Sequence, residues 1–476
     1  MSEDKVWKIL EPPQRYISLT EISSHTLEGT RQPIVIGVDA RYWMLRAQER
    51  AEHYFGARKD KELRYLLLLW VCRLREKAVV AVFVFNGPEV PHHAHGPFTV
   101  PFADDLIGFF QQLIRSQGFY VHKATGDASV GLWQIDKRVD AVMTEDVRVL
   151  VFGAVSLFHI AKFFEDLDTV AFFSTEDLSQ RNERPITPHG IFLLLILMGS
   201  DYASGIPVLT AELAYALTNT ALKSLLIFAV EDFTPLRLQE YLHVWKDALE
   251  SEIRNNTHEF LPSALPDLAD FIQAVQDFPN FHAATYLAQP FGTQLTPFPT
   301  WSVQPPDLVD TSDVCQEVFN NARAEHMPMM LSHIWTTFVV GSLLDVECNH
   351  KARYNIHASI RVTDVRLCNT ITTYRLDVRI NNTFCNAHVP GRRIQFWLPT
   401  AIVGSVLCSA VQDYQIDLVV NTKRPIGYSN AKLLLLPPLS TAGIIRLCHI
   451  LGNQTDTVET DSEEDDTKLE VVVELL

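Results

Sequence analysis

The chain has 476 residues, of which 47% are hydrophobic and 20% charged, so it can hold two or three domains and a sizeable core. Its formal charge of −17 speaks against a general, strong affinity for nucleic acid, which comes mainly from neutralising phosphates. No apolar run approaches the roughly 20 residues of a membrane span, so no membrane partner is expected.

The opening MSEDKVWKIL lacks the basic region and apolar core of a secretory signal, and an intracellular, non-secreted protein is expected. The seven cysteines (Cys72, Cys315, Cys348, Cys368, Cys385, Cys408 and Cys448) form no C-x-x-C pair. They read as reduced, mostly buried thiols rather than zinc ligands.

From residue 33 to about 160 two hydrophobic periods alternate. PIVIGVD, VVAVFVF, GFYVH and VDAVMT are short apolar runs of strand type. Between them, KDKELRYLLLLWVCRLREK, DLIGFFQQLIRSQG and DASVGLWQIDK have helical spacing, with Leu63, Leu66, Leu67, Trp70 and Leu74 on one face of the first. Such alternation implies right-handed crossovers and a parallel sheet flanked by helices, an α/β fold.

Residues 188 to 289 are helical in pattern. Residues 290 to 311 hold five prolines and read as a linker or an extended crossing segment. A further helical stretch covers residues 316 to 346. Beyond residue 352, NIHASIRVTDV, TTYRLDVRI and RRIQFWLPT are rich in β-branched and aromatic residues and predict a small β-rich domain. The tail from residue 453 is expected to be disordered. The predicted division is 1–187, 188–350, 351–450 and an acidic tail, 451–476.

Asp39, Asp127, Asp146 and Asp201 fall at strand ends or in the loops that follow. Acids placed there converge on one sheet edge, the arrangement of a two-metal phosphodiester-cleaving site. Asn86 stands at the end of VFVFNG, where the same logic calls for an acid.

Six blocks occur in the order of a known family. VWKIL, VDARYWM, VFVFNGPEVP, ATGDASV, VDAVMTEDVRVLVFG and GSDYASGIP resemble the motifs of the XPG/flap-endonuclease family of structure-selective nucleases, which has a PIN-like fold. The sequence is most similar to its Holliday-junction-resolvase branch, and the resemblance runs from Val6 to about residue 230. It implies phosphodiester hydrolysis by water activated between two Mg²⁺ ions, branched DNA as substrate, and a nuclear role in DNA repair and recombination. Of the seven acidic positions that it implies, Asp39, Asp127, Asp146 and Asp201 remain. Asn86 and Ser129 are neutral, and Arg148 reverses the charge.

Two dications about 4 Å apart repel by of order 15 kcal/mol at an effective dielectric of about 20, so the missing anions are costly. An eroded active site is therefore expected, with Arg148 paired to Asp146 or Asp201 as an ionic knot. An active enzyme with a reduced Mg²⁺ site on Asp39, Asp127 and Asp201, and a protein-interaction scaffold, are the alternatives.

Other parts depart from the family pattern as well. No lysine or arginine lies between Gly87 and Ile114, and His92, His93 and His95 there read as a solvated loop rather than a ligand set. After GSDYASGIP the family's glycine hairpin is replaced by Val208-Leu209-Thr210-Ala211-Glu212, with Thr210 as a plain helix N-cap. TTYRLDVRI with GRRIQFWLPTAIV is faintly similar to the chromodomain-like modules of some resolvases, and the Arg392–Arg393 pair there reads as a solvated strand edge. DSEEDDTKLEVVVELL resembles a SUMO-interacting motif, in which Val471, Val472, Val473 and Leu475 would add a strand to a partner sheet.

Overall fold

The computed structural model describes residues 2–10, 15–55, 59–88, 102–160, 167–181, 184–200, 202–289, 300–319, 327–349, 358–368, 370–380, 392–403, 407 and 410–415. The chain opens with α1 (Ser2–Leu10), β1 (Arg15–Ser18) and α2 (Leu19–Thr30). An alternating block follows: β2 (Val35–Asp39), α3 (Ala40–Phe55), α4 (Lys59–Glu76), β3 (Val80–Phe85), α5 (Asp104–Ser116), β4 (Tyr120–Lys123), α6 (Ala128–Ile135), β5 (Ala141–Met143), α7 (Arg148–Val151), β6 (Ser156–His159) and β7 (Thr169–Ser174). The helical part comprises α8 (Thr175–Gln180), α9 (Pro188–Met198), α10 (Ala211–Leu217), α11 (Leu222–Asp232), α12 (Pro235–Asn255), α13 (Pro266–Ala274), α14 (Phe281–Ala288), α15 (Leu308–Phe319) and α16 (Met327–Asn349). Last come β8 (Ala358–Cys368), β9 (Ile371–Ile380), β10 (Arg392–Pro399) and α17 (Thr400–Val403).

The large sheet has the order β1-β7-β6-β5-β2-β3-β4. Strands β2 to β6 pair in parallel, as the alternation predicts. The sheet is nevertheless mixed, because β7 and β1 pair antiparallel at one edge. The connection from His159 to Thr169 is too short for a parallel crossover, so β7 turns back along β6.

Strand β3 is buried on both faces and divides the core. Val82 and Val84 join the cluster formed with α1, α6 and the helices α9 to α14, while Phe83 and Phe85 join the cluster formed with α3, α4, α5, α15 and α16. Phe83 meets Trp43 and Phe110 edge-on, with ring centroids 5.3 and 5.6 Å apart. Each such buried side chain contributes about 1.5–3 kcal/mol of burial energy.

The proline-rich segment is shorter than the sequence suggests, because α15 already begins at Leu308; residues 290–299 lie outside the described residues. Its final stretch crosses the molecule closely. Gly118, with φ of +74°, leaves room for the Gln304 carbonyl, 2.3 Å from where a Cβ would stand. The buried Arg75 donates to that same carbonyl at 2.6 Å. The helical stretch predicted over 316–346 is two helices, α15 and α16.

Strands β8, β9 and β10 form a separate antiparallel sheet, the predicted β-rich part. Its inner face, with Val362, Leu376, Val378, Ile394 and Leu398, closes against the same core as α16, and α17 lies against α2 and α16. Among the described residues no single helix is long and apolar enough to cross a membrane. Cys72 and Cys315 are buried and Cys368 is exposed.

Candidate functional site

The strand order reverses at β2, whose neighbours β3 and β5 lie on opposite sides, so the carboxyl ends of β2 and β5 form the switch point at which open α/β sheets place their sites. Asp39 is the last residue of β2. Its carboxylate accepts from the Tyr42 backbone N–H at 2.9 Å, capping α3, and from the Thr144 hydroxyl at 2.8 Å. Thr144 follows β5 and also accepts from the Asp146 N–H at 3.0 Å, so one hydroxyl ties the two strand ends together.

Asp127 is the N-cap of α6 and accepts from the Val130 N–H at 3.0 Å. Asp146 accepts from the Arg148 N–H at 2.9 Å and holds the turn into α7. Each of these three acids therefore fixes a loop-to-helix junction, which is a structural use independent of any metal.

Arg148 occupies the space between them and is only 3% exposed. Its Nε donates to both carboxylate oxygens of Asp146, at 2.8 and 2.9 Å, and its Nη2 closes a second bond to Asp146. Nη1 reaches Asp127 at 2.9 Å and also donates to the Tyr202 hydroxyl. Tyr202 in turn donates to Asp127 at 2.6 Å, lies under the guanidinium with 5.0 Å from Cζ to its centroid, and packs on Tyr286 at 4.4 Å.

The Ser129 hydroxyl donates to Asp146. The Asn86 carboxamide oxygen accepts from the Ala128 N–H at 2.9 Å, tying the end of β3 to the start of α6. Glu145 sits at the margin, paired with Arg46, while its carbonyl accepts from Trp7 Nε1 at 2.7 Å.

Asp39, Asn86, Asp127, Ser129, Asp146 and Arg148 thus meet at one edge of the sheet. The expected pairing of Arg148 is present with Asp146, and its second carboxylate is Asp127. Asp201 lies outside the described residues, as do His92, His93 and His95, the tail, and Val471, Val472, Val473 and Leu475. Tyr202 was visible as part of GSDY, but nothing in that motif signalled its bond to Asp127. Tyr286 comes from α14, a segment without any motif, and only the three-dimensional packing reveals it.

Electrostatics follow from burial and, for Asp127 and Asp146, from this cation. Burial pushes the Asp39 carboxyl up to about 7; the Asp146 and Asp127 charges add to the rise, while Thr144 and Arg41 offset part of it. Burial would also raise Asp127, but Arg148, Tyr202 and the Val130 N–H hold it below the usual carboxylate range. Burial alone would lower Arg148, yet Asp146, Tyr202 and Asp127 keep its guanidinium charged. Tyr202 and Tyr286 are pushed up by burial and remain neutral phenols.

These residues do not fit a divalent ion. Arg148 takes the oxygens of Asp127 and Asp146 that a metal would need, and Asn86 spends its carbonyl oxygen on a backbone N–H. Among the described residues no group of three or more His, Cys, Asp or Glu is disposed to hold a metal ion.

The raised Asp39 predicts a pH effect on stability. A carboxyl whose pKa is higher when folded contributes stability that is complete below its unfolded value of 3.8 and is lost as pH rises through about 7. Asp39→Asn mimics the protonated form. Between pH 5 and pH 8 the variant is expected to gain about 2–3 kcal/mol of stability relative to the unmodified chain. Thermal midpoints of both chains at the two pH values check this, and parallel pH profiles would count against it.

A comparison with protein-family models gives no match, and neither does one with curated proteins. Among solved structures, the Holliday junction-resolving enzyme GEN1 in complex with product DNA and Mg²⁺ aligns with a TM-score of 0.66, at 18% identity, over 87% of this chain and 99% of that one. The eukaryotic junction-resolving enzyme GEN-1 binding sodium gives 0.66 at 18% identity over 88% and 100%. Human GEN1 in complex with Holliday junction DNA gives 0.60 at 16% identity over 89% and 100%. The alignments extend beyond the large sheet to most of the chain, and they agree with the motif order: the chain has the fold of the XPG/flap-endonuclease family of structure-selective nucleases.

Proposed function

We propose that this chain is a divergent homologue of the structure-selective DNA endonucleases whose cleavage site has become an internal ionic lock. It acts by binding, to branched DNA or to a protein partner, in nuclear DNA repair or recombination. One observation carries the reading: the buried Arg148 fork bonds both Asp127 and Asp146 where a metal-dependent site needs free anionic oxygens. Like the opposed charges of any buried pair, these groups satisfy each other and leave little to recruit a dication.

Two further features support lost cleavage. Thr210 caps α10 by accepting from the Leu213 N–H, so the segment where the family places its glycine hairpin is here an ordinary helix start. Glu212 in its first turn is exposed and would repel a phosphate. The structures in which GEN1 binds junction DNA support a branched nucleic acid as the ligand class.

The test is incubation of the purified chain with 5′-flap, splayed-arm and four-way-junction DNA in Mg²⁺ and then Mn²⁺. No cleavage above the protein-free background is expected. Cleavage that disappears in Asp146→Ala would instead establish an active enzyme with a reduced metal site. Absence of junction binding at low salt would favour the scaffold alternative.

A further inference from the structure

The outer face of the small sheet carries an unusual charge arrangement for a chain of net −17. Residues paired across neighbouring strands share a face, and the register sets out four rows. Ser359, Arg379 and Arg393 form one; Arg361, Asp377 and Gln395 the next; then Asp364, Arg375 and Trp397; then Arg366, Thr373 and Pro399. The face therefore holds five arginines against two aspartates.

Asp377 is already committed. It is buried and accepts from Arg393 Nε at 2.5 Å and from Gln395 Nε2 at 3.1 Å. Arg361, Arg366, Arg379 and Arg393 are exposed, and Arg366 lies over the Trp397 ring at 4.1 Å. Arg379 stands directly opposite Arg393, and like charges so placed destabilise a strand pair; Asp377 answers the Arg393 charge, while Arg379 is exposed to solvent.

We propose that this face binds the chain's own acidic C-terminal segment, residues 456–474. The segment holds nine acids (Asp456, Glu459, Asp461, Glu463, Glu464, Asp465, Asp466, Glu470 and Glu474) and one lysine, a charge complementary to the arginine rows. The geometry of attachment also favours it. Tyr414, next to the last described residue, packs on the same core as Tyr374, and besides burial the nearby Asp364 and Tyr374 raise its phenol, so residue 415 stands close to this sheet. The 40 residues between Gln415 and Asp456 are ample to return, and a tethered ligand meets its site at an effective concentration in the millimolar range, on the order of what short linkers give.

At the edge of the sheet, the exposed Val365 and Leu367 of β8 offer apolar contact to Val471 and Val472. A segment so docked screens the basic face from other polyanions until something displaces it. This inference is independent of whether the nuclease-like site cuts.

The experiment uses the full-length chain with a benzophenone amino acid in place of Thr467. Irradiation is expected to give intrachain cross-links to residues 358–380 and 392–399. Their yield should fall about five-fold or more when salt rises to about 0.5 M. The same loss is expected with Arg361→Ser and Arg379→Ser combined, which keep the Arg393–Asp377 pair, and an unchanged thermal midpoint of that variant is the control of folding. Cross-links to other parts of the chain, cross-links only between molecules, or insensitivity to the arginine substitutions would overturn the proposal. So would labelled duplex DNA binding equally to the unmodified chain and to one with Glu463→Gln, Glu464→Gln, Asp465→Asn and Asp466→Asn, with loss in the arginine variant; that result assigns the face to nucleic acid.

Discussion

Arg148→Met is expected to destabilise the chain by about 3–5 kcal/mol near neutral pH, the cost of leaving buried charges without their partner. Methionine keeps much of the length and fills much of the volume, so the loss reports charge rather than a cavity. Asp127 and Asp146 would stay buried, 6% and 2% exposed, with only hydroxyl and backbone donors to face them. The thermal midpoint should fall by about 3–5 °C for a chain of this length. The deficit should shrink as pH falls toward 5, because the unpaired carboxyls then take up protons. In the unmodified chain Asp127 is held low by Arg148, so its contribution persists down to about 3.8 and is lost only below that. Arg148→Lys should recover part of the loss only, since an ammonium cannot donate to Asp146 and Asp127 in the same planar geometry. A midpoint unchanged within a degree or two in Arg148→Met would mean that the lock does not stabilise the fold.

The second large effect concerns restoring the acids. The combined variant Asn86→Asp, Ser129→Glu and Arg148→Asp replaces one cation and two neutral groups with three anions, next to Asp39, Asp127 and Asp146. In metal-free buffer it should be less stable than Arg148→Met, because buried like charges repel and only protonation relieves them. Adding Mg²⁺ or Mn²⁺ should then raise its thermal midpoint. A ligand at about a hundred times its dissociation constant stabilises the folded chain by about 2.7 kcal/mol, enough to move the midpoint by several degrees. If the variant unfolds without metal and gains nothing from it, the sheet edge no longer has the shape of a metal site.

Much of the fold was legible because it rests on local patterns. PIVIGVD and VVAVFVF are apolar throughout, as strands buried on both faces must be, and they are β2 and β3. The helices between them have one apolar stripe each. The edge strand β1 was not legible: it is four residues, RYIS, and only its pairing with β7 makes it a strand, whereas the opposite edge strand β4 was read from GFYVH. The boundary of α15 was missed because Pro305 and Pro306 suggested a linker, although a proline pair also suits the start of a helix.

The site was legible to the extent that its members follow strand ends. Asp39, Asp127 and Asp146 lie together where strand ends were expected to bring acids, and the reversed charge at Arg148 pointed to its pairing with Asp146. The second partner of that lock was not apparent, since it depends on how the α6 N-cap approaches the turn after β5. Tyr202 and Tyr286 were silent because their role comes from ring packing between segments that share no motif. The arginine rows of the small sheet were also hidden: five residues scattered through three strands become a basic face only in register.

Closure of the site to divalent metal by Arg148 is tested most directly by a titration of the unmodified chain. Its thermal midpoint, followed with increasing Mg²⁺ or Mn²⁺, is expected to stay flat and to match the response of Asp146→Asn. A metal-dependent rise in the unmodified chain that Asp146→Asn abolishes would contradict the account.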